Sequence, residues 1–184
     1  MKKLVLLATM ACATSSMAAT GPFAELNLGY SSTGSSAIEN INTAKNFAKK
    51  QDNNFGYNVN AGLLFLGIGA EVGYTRYADL KYNSSANSAP ADLSGIHLAL
   101  RVEQGIGPLY FVGKLGYGQL KQGGFTVDQA KVAAKNKSGV FFGAGVGITF
   151  MPTLSVIAQY QQTQGSSGSV PTASLTSVGI NWNI

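Results

Sequence analysis

Apolar and polar residues alternate with a period of two through eight separate stretches of this chain. That pattern demands β-strands, each with one apolar face. In FAELNLGY, Ala24, Leu26, Leu28 and Tyr30 share one face, and Glu25, Asn27 and Gly29 the other. The same alternation runs through FGYNVNAGL from Phe55, IGAEVGYT from Ile68, IHLALRVE from Ile96 and LYFVGKLGYG from Leu109. It returns in GVFFGAGVGITF from Gly139, in LSVIAQYQ from Leu154 and in the closing SVGINWNI from Ser177. The last stretch sets Val178, Ile180, Trp182 and Ile184 against Ser177, Gly179, Asn181 and Asn183. The fold class is all-β.

The connections alternate in length. Short ones punctuated by Gly or Pro fall near Leu64 to Gly67, at Gln104 to Pro108 and at Met151 to Thr153. Long polar ones cover roughly 31–53, 78–94, 119–138 and 163–173. Short turns at one end and long loops at the other describe an eight-stranded antiparallel up-and-down barrel, with both termini at the short-turn end. Within the third loop, VDQAKVAAKNK (Val127 to Lys137) has the composition of a helical turn.

The polar face decides between a soluble and a transmembrane barrel. A water-facing surface needs abundant charge, yet charged residues make up only 11% of this chain. The polar face of the eight strands carries Glu25, Glu71, Arg101, Glu103 and Lys114 as its charges, among many glycines. That suits a narrow interior filled by side chains. The apolar face bears aromatics near its long-loop ends (Tyr30, Phe55, Tyr57, Tyr74, Tyr117, Phe142, Tyr160) and near its short-turn ends (Phe111, Phe150, Trp182). Two aromatic girdles around an aliphatic belt match the two interfaces of a bilayer. The apolar face therefore points to lipid and the five charges point inward. They are expected to pair in one lumenal layer, because an unpaired charge is costly where water is scarce.

At the start of the chain, Lys2 and Lys3 precede an apolar run from Leu4 to Ala13, followed by the small residues Ser16 and Ala18. This is the pattern of a secretory signal peptide. The run is too short for a spanning helix, which takes about 20 residues. The expected division is a signal peptide over 1–19, cleaved near 18/19, and a barrel domain over 20–184. Cleavage removes Cys12, the only cysteine, and lowers the formal charge of +5 by two.

Chemistry is sparse. The Gly-rich stretches GIGAEVG and GAGVG continue in strand alternation, whereas a nucleotide loop must open a helix. His97 is the only histidine and points into the barrel, where it reads as a hydrogen-bonding filler. No His, Cys or carboxylate cluster has metal-ligand spacing, so neither metal nor cofactor is expected. The long loops are lysine-rich. Lys131, Lys135 and Lys137 are the candidate contacts for anionic partners such as lipopolysaccharide phosphates or acidic glycans. Nucleic acid is not among the expected partners.

GPFAELNLGY, LGIGAEVGYTRY, KLGYG and GVGITF, as an ordered set over the mature chain, resemble the bacterial outer-membrane β-barrel domain family, the small OmpA-like and OmpX-like barrels. The closing strand is similar to that family's C-terminal insertion signal. Ser177, Gly179 and Trp182 match it, and Ile184 departs from the usual final Phe. The resemblance implies recognition of this strand by the outer-membrane assembly machinery and residence among outer-membrane lipid and lipopolysaccharide. The expected function is that of a non-enzymatic outer-membrane protein acting through structure or through its loops. The alternatives are a small pore and a membrane-embedded lipid-modifying enzyme.

Overall fold

The computed structural model describes residues 19–33, 48–50, 54–77, 79–83, 88–127, 130–132, 134–164 and 172–184. The expected leader, apart from Ala19, lies outside these residues. The strands are β1 (Gly21–Thr33), β2 (Ala48–Lys50), β3 (Asn54–Phe65), β4 (Ile68–Arg76), β5 (Leu80–Asn83), β6 (Ser88–Ala91) and β7 (Leu93–Ile106). They continue as β8 (Leu109–Gln122), β9 (Phe125–Val127), β10 (Ala130–Val132), β11 (Lys135–Met151), β12 (Leu154–Thr163) and β13 (Ala173–Asn183). Eight of them close a barrel in the order β1-β13-β12-β11-β8-β7-β4-β3. Every pairing in it is antiparallel, and β13 seals the seam against β1.

Burial follows the period of two. In β4, Ile68, Ala70, Val72 and Tyr74 are exposed while Glu71, Gly73 and Thr75 are buried. Across the whole barrel the exposed large side chains are aliphatic and aromatic, and most of the buried ones are polar. That inversion of a water-soluble protein places hydrocarbon outside. Both girdles face outward, with Tyr30, Phe55 and Tyr117 in one and Phe111, Phe150 and Trp182 in the other. No helix among the described residues is long and apolar enough to cross a membrane.

The short turns are tighter than the sequence implied. Strands continue to Phe65, Ile106 and Met151, leaving two residues in each turn. In the first, Leu66 has φ 51° and Gly67 φ 76°, between the paired residues Phe65 and Ile68. Positive φ at both central positions makes this a type I′ turn, whose twist suits a hairpin. Leucine is a poor occupant, because its Cβ crowds the following carbonyl there, at about 1–2 kcal/mol. Leu66→Asn restores the favoured Asn-Gly pair. It is expected to raise stability by about 1 kcal/mol, read as a higher unfolding temperature on a gel-shift melt.

The loop side departs further from expectation. β1, β8 and β11 extend into segments read as loop, so that β11 begins at Lys135. The expected helical turn over Val127 to Lys137 is absent from the described residues. Phe125–Val127 and Ala130–Val132 instead pair as strands. Phe125, Thr126, Val127 and Val132 are β-formers that outweigh the few helix-favouring residues of so short a segment. A second small sheet, β2-β5-β6, joins a strand of the first long connection to two of the second.

Candidate functional site

The lumen is layered. Toward the short turns it is filled by Phe23, Leu64, Tyr110, Val112 and Ile157, all buried. Toward the loops it is filled by Tyr77, Leu93, Leu120, Phe141 and Leu175, also buried. Between these apolar layers lie the five charges singled out above, and the structure brings them together. Arg101 Nη1 reaches Glu25 Oε2 at 2.7 Å and Glu71 Oε2 at 2.9 Å, and its Nη2 reaches Glu103 Oε2 at 3.2 Å. Lys114 Nζ lies 3.2 Å from Glu25 Oε1 and 3.0 Å from Glu71 Oε2. All of these groups are buried.

Glu25 is the hub of the layer. Its Oε1 accepts from Asn27 Nδ2, Asn60 Nδ2 and Gln159 Nε2, each at 2.8 Å, as well as from Lys114. One carboxylate on β1 thus ties together β3, β7, β8 and β12. Glu71 is shared in the same way, among Arg101, Lys114 and His97, whose Nε2 stands 3.1 Å from Glu71 Oε1. The His97 ring also stacks on Phe141, with centroids 3.8 Å apart and planes 8° from parallel. The Arg101 guanidinium lies 4.4 Å above the Phe23 ring, adding a cation–π contact to its ion pairs.

Glycine makes this crowding possible. A Cβ at Gly73 would collide with the side chains of Asn60 and His97, so Gly73 provides the space both occupy. The neutral half of the network was visible as parity but carried no charge to mark it. Asn58 Nδ2 donates to Thr75 Oγ1 at 2.9 Å, and Gln161 Nε2 donates to the same hydroxyl at 3.0 Å. The apolar layers had no signal beyond inward parity at Phe141, Tyr110 and Ile157.

The other candidates are dispersed. Ser177 and Gly179 face the lumen, while Trp182 and Ile184 are exposed on the outer side. Lys131 sits across from Thr126 in the β9–β10 hairpin. Lys135 and Lys137 stand on the barrel strand itself, across from Gln122 and Leu120. They do not share one helical face. Among the described residues no three His, Cys, Asp or Glu side chains are grouped as for a metal ion.

A closed eight-stranded barrel with a lipid-facing apolar belt and a filled polar lumen is an integral membrane β-barrel. Its fold is shared by solved structures of bacterial outer-membrane proteins. Neisserial surface protein A superposes with a TM-score of 0.67 at 14% identity, covering 90% of this chain and 98% of that one. Ail of Yersinia pestis, in complex with the heparin analogue sucrose octasulfate, gives a TM-score of 0.55 at 14% identity, covering 89% and 99%. The N-terminal β-barrel domain of Pseudomonas aeruginosa OprF gives 0.56 at 12% identity, covering 90% and 98%. Among curated protein sequences nothing matches significantly. The family model of the outer membrane protein β-barrel domain matches residues 4–183, and the chain belongs to that family. It is an outer-membrane protein.

Proposed function

We propose that this protein is a non-enzymatic, non-conducting outer-membrane barrel that acts through its basic extracellular face on anionic partners. The observation that carries the reading is the buried charge layer, in which Arg101 joins Glu25, Glu71 and Glu103 between two apolar layers. A lumen so filled leaves the loop end as the surface on which to act. The likeness of fold to Ail, which was solved with a sulfated heparin analogue, supports an anionic partner. His97 is engaged by Glu71 and Phe141 inside the barrel, and both are buried away from lipid. This speaks against a lipid-modifying enzyme. On the same reading the leader 1–19 is removed during export. The strand bearing Ser177, Gly179, Trp182 and Ile184 then serves the assembly machinery.

Purified protein in planar bilayers is expected to show no steady large conductance. Immobilised heparin or lipopolysaccharide should retain it at low salt and release it as salt screens the lysines. Replacing Lys131, Lys135 and Lys137 by Gln should weaken retention and leave insertion intact. Steady channels would restore the pore. Retention insensitive to both salt and the lysines would remove the basic face from the account.

A further inference from the structure

The end of the barrel that carries the short turns is unlike a water-facing surface. Its turns are Leu66-Gly67, Gly107-Pro108 and Pro152-Thr153. None of the side chains of residues 19–24, 63–70, 104–111, 148–156 and 180–184 is charged. Phe65, Leu66, Ile68, Ile106, Phe150 and Met151 are all exposed there, Leu66 to 66%. Turns in water favour Asn, Asp and Gly, and a contiguous exposed apolar patch marks a surface that something covers. Leu66 is the clearest case, because it holds a positive φ that asparagine or glycine adopts more readily. A leucine kept against its backbone preference points to a role for its side chain. The backbone of these turns is also closed to solvent partners. The Leu66 N–H donates to Thr20 Oγ1 at 3.0 Å. The last carbonyl of each turn accepts from the neighbouring strand: Gly67 from the Glu103 N–H at 2.6 Å, Pro108 from Thr149 at 2.8 Å and Thr153 from Asn183 at 2.9 Å. Pro108 and Pro152 have no N–H to satisfy. Main-chain groups paired within the protein are what a surrounding poor in water requires.

We infer that the short-turn end is immersed in the headgroup region of the membrane's periplasmic leaflet, with Leu66 as an anchor, instead of standing in periplasmic water. The lipid-facing belt runs into these turns without a polar break. Phe65 ends β3, Ile68 begins β4, Ile106 ends β7 and Leu109 begins β8, and all four are exposed. The patch is therefore continuous with the lipid interface, which favours lipid over a protein partner. Each interfacial layer adds at least about 5 Å to the hydrocarbon core, more than the rise of one strand residue, about 3.4 Å. A two-residue turn fits within it. An end held there fixes the depth of the barrel and keeps the long-loop end presented to the outside.

The native side chain can be probed directly. Wild-type protein with labelled leucine methyls is placed in phospholipid nanodiscs, and the Leu66 signal is assigned by its absence in Leu66→Asn. Leu98, exposed on the lipid-facing belt, is the reference. Two relaxation agents are compared: a phospholipid carrying a nitroxide near the carbonyl end of its acyl chain, and a water-soluble gadolinium chelate. The lipid nitroxide is expected to broaden Leu66, and the chelate to leave it as sharp as Leu98. A gel-shift melt in detergent reads the backbone fit of Leu66→Asn, not its anchoring in a bilayer, so a gain there is compatible with this result. Loss of the Leu66 signal to the chelate, whatever the lipid nitroxide does, puts the turn in water and overturns the inference. A Leu66 signal that neither agent broadens means that a second copy of the chain covers the turn, and overturns it as well.

Discussion

Arg101→Ala is expected to destabilise the barrel by about 3–5 kcal/mol, the cost of breaking a buried ion pair from one side. Arg101 is fully buried and meets three carboxylates. Its loss leaves Glu25, Glu71 and Glu103 facing Lys114, which reaches only the first two. Glu71 also keeps His97, and Glu25 keeps three amide donors, which holds the loss near that range. Glu103 loses its ion pair with Arg101. Arg101→Lys should recover little, because a single ammonium cannot span carboxylates from three strands or lie flat on Phe23. Gel-shift melting in detergent measures this. Glu103→Gln in the Arg101→Ala background should return part of the stability, since it removes the stranded charge. An unchanged melting temperature for Arg101→Ala would mean that water reaches the layer and that the lumen is open. The same variant would then be expected to conduct no differently from wild type.

The barrel was legible because its two periodicities are coarse and redundant. Eight alternating stretches set the faces, and the turn residues set the hairpin ends. The five inward charges were legible for the same reason, since parity alone assigns Glu71 and Arg101 to one face. Position within the layer was not. The shear of a barrel depends on register, and register resides in pairings such as Glu25 with Asn60 and Asn181 that no single strand displays. That is why the sequence marked Glu25 as one of five inward charges but not as their hub. Neutral partners such as Asn27 and Gln159 carry no charge to betray a convergence that forms only after closure. The loop elements were missed for a different reason. β2, β5 and β6 have three or four residues each, too few for a period to register, and their pairing joins segments far apart in sequence. The third loop was misread because alanine and lysine suggested helix locally, while strand pairing with Phe125 to Val127 decided the outcome.

Deleting Trp182 to Ile184 is expected to abolish stable assembly in the outer membrane. These residues sit on the seam. Trp182 pairs with Ala24 on one side and Leu154 on the other, and Asn183 pairs with Phe23. The Asn183 N–H donates to the Thr153 carbonyl, and the Ile184 N–H donates to the Pro22 carbonyl, both at 2.9 Å. Removing them strips backbone partners from β1 and β12 at once, at the lower interface where Trp182 faces outward. Unpaired backbone groups in lipid cost several kcal/mol each, so an open seam is not tolerated. The truncated chain should accumulate in the periplasm and be degraded, with no heat-dependent gel shift. Two further variants separate the causes. Trp182→Ala keeps the ladder and removes only the aromatic. If it assembles while the truncation fails, the hydrogen-bonded seam carries the effect. If both fail, the aromatic is read during insertion. Ile184→Phe leaves the ladder intact and supplies the ending usual in the family, so it should assemble at least as well as the native chain. A truncated protein that inserts and shifts on the gel like wild type would show that neither the seam nor the terminal aromatic is needed to close this barrel.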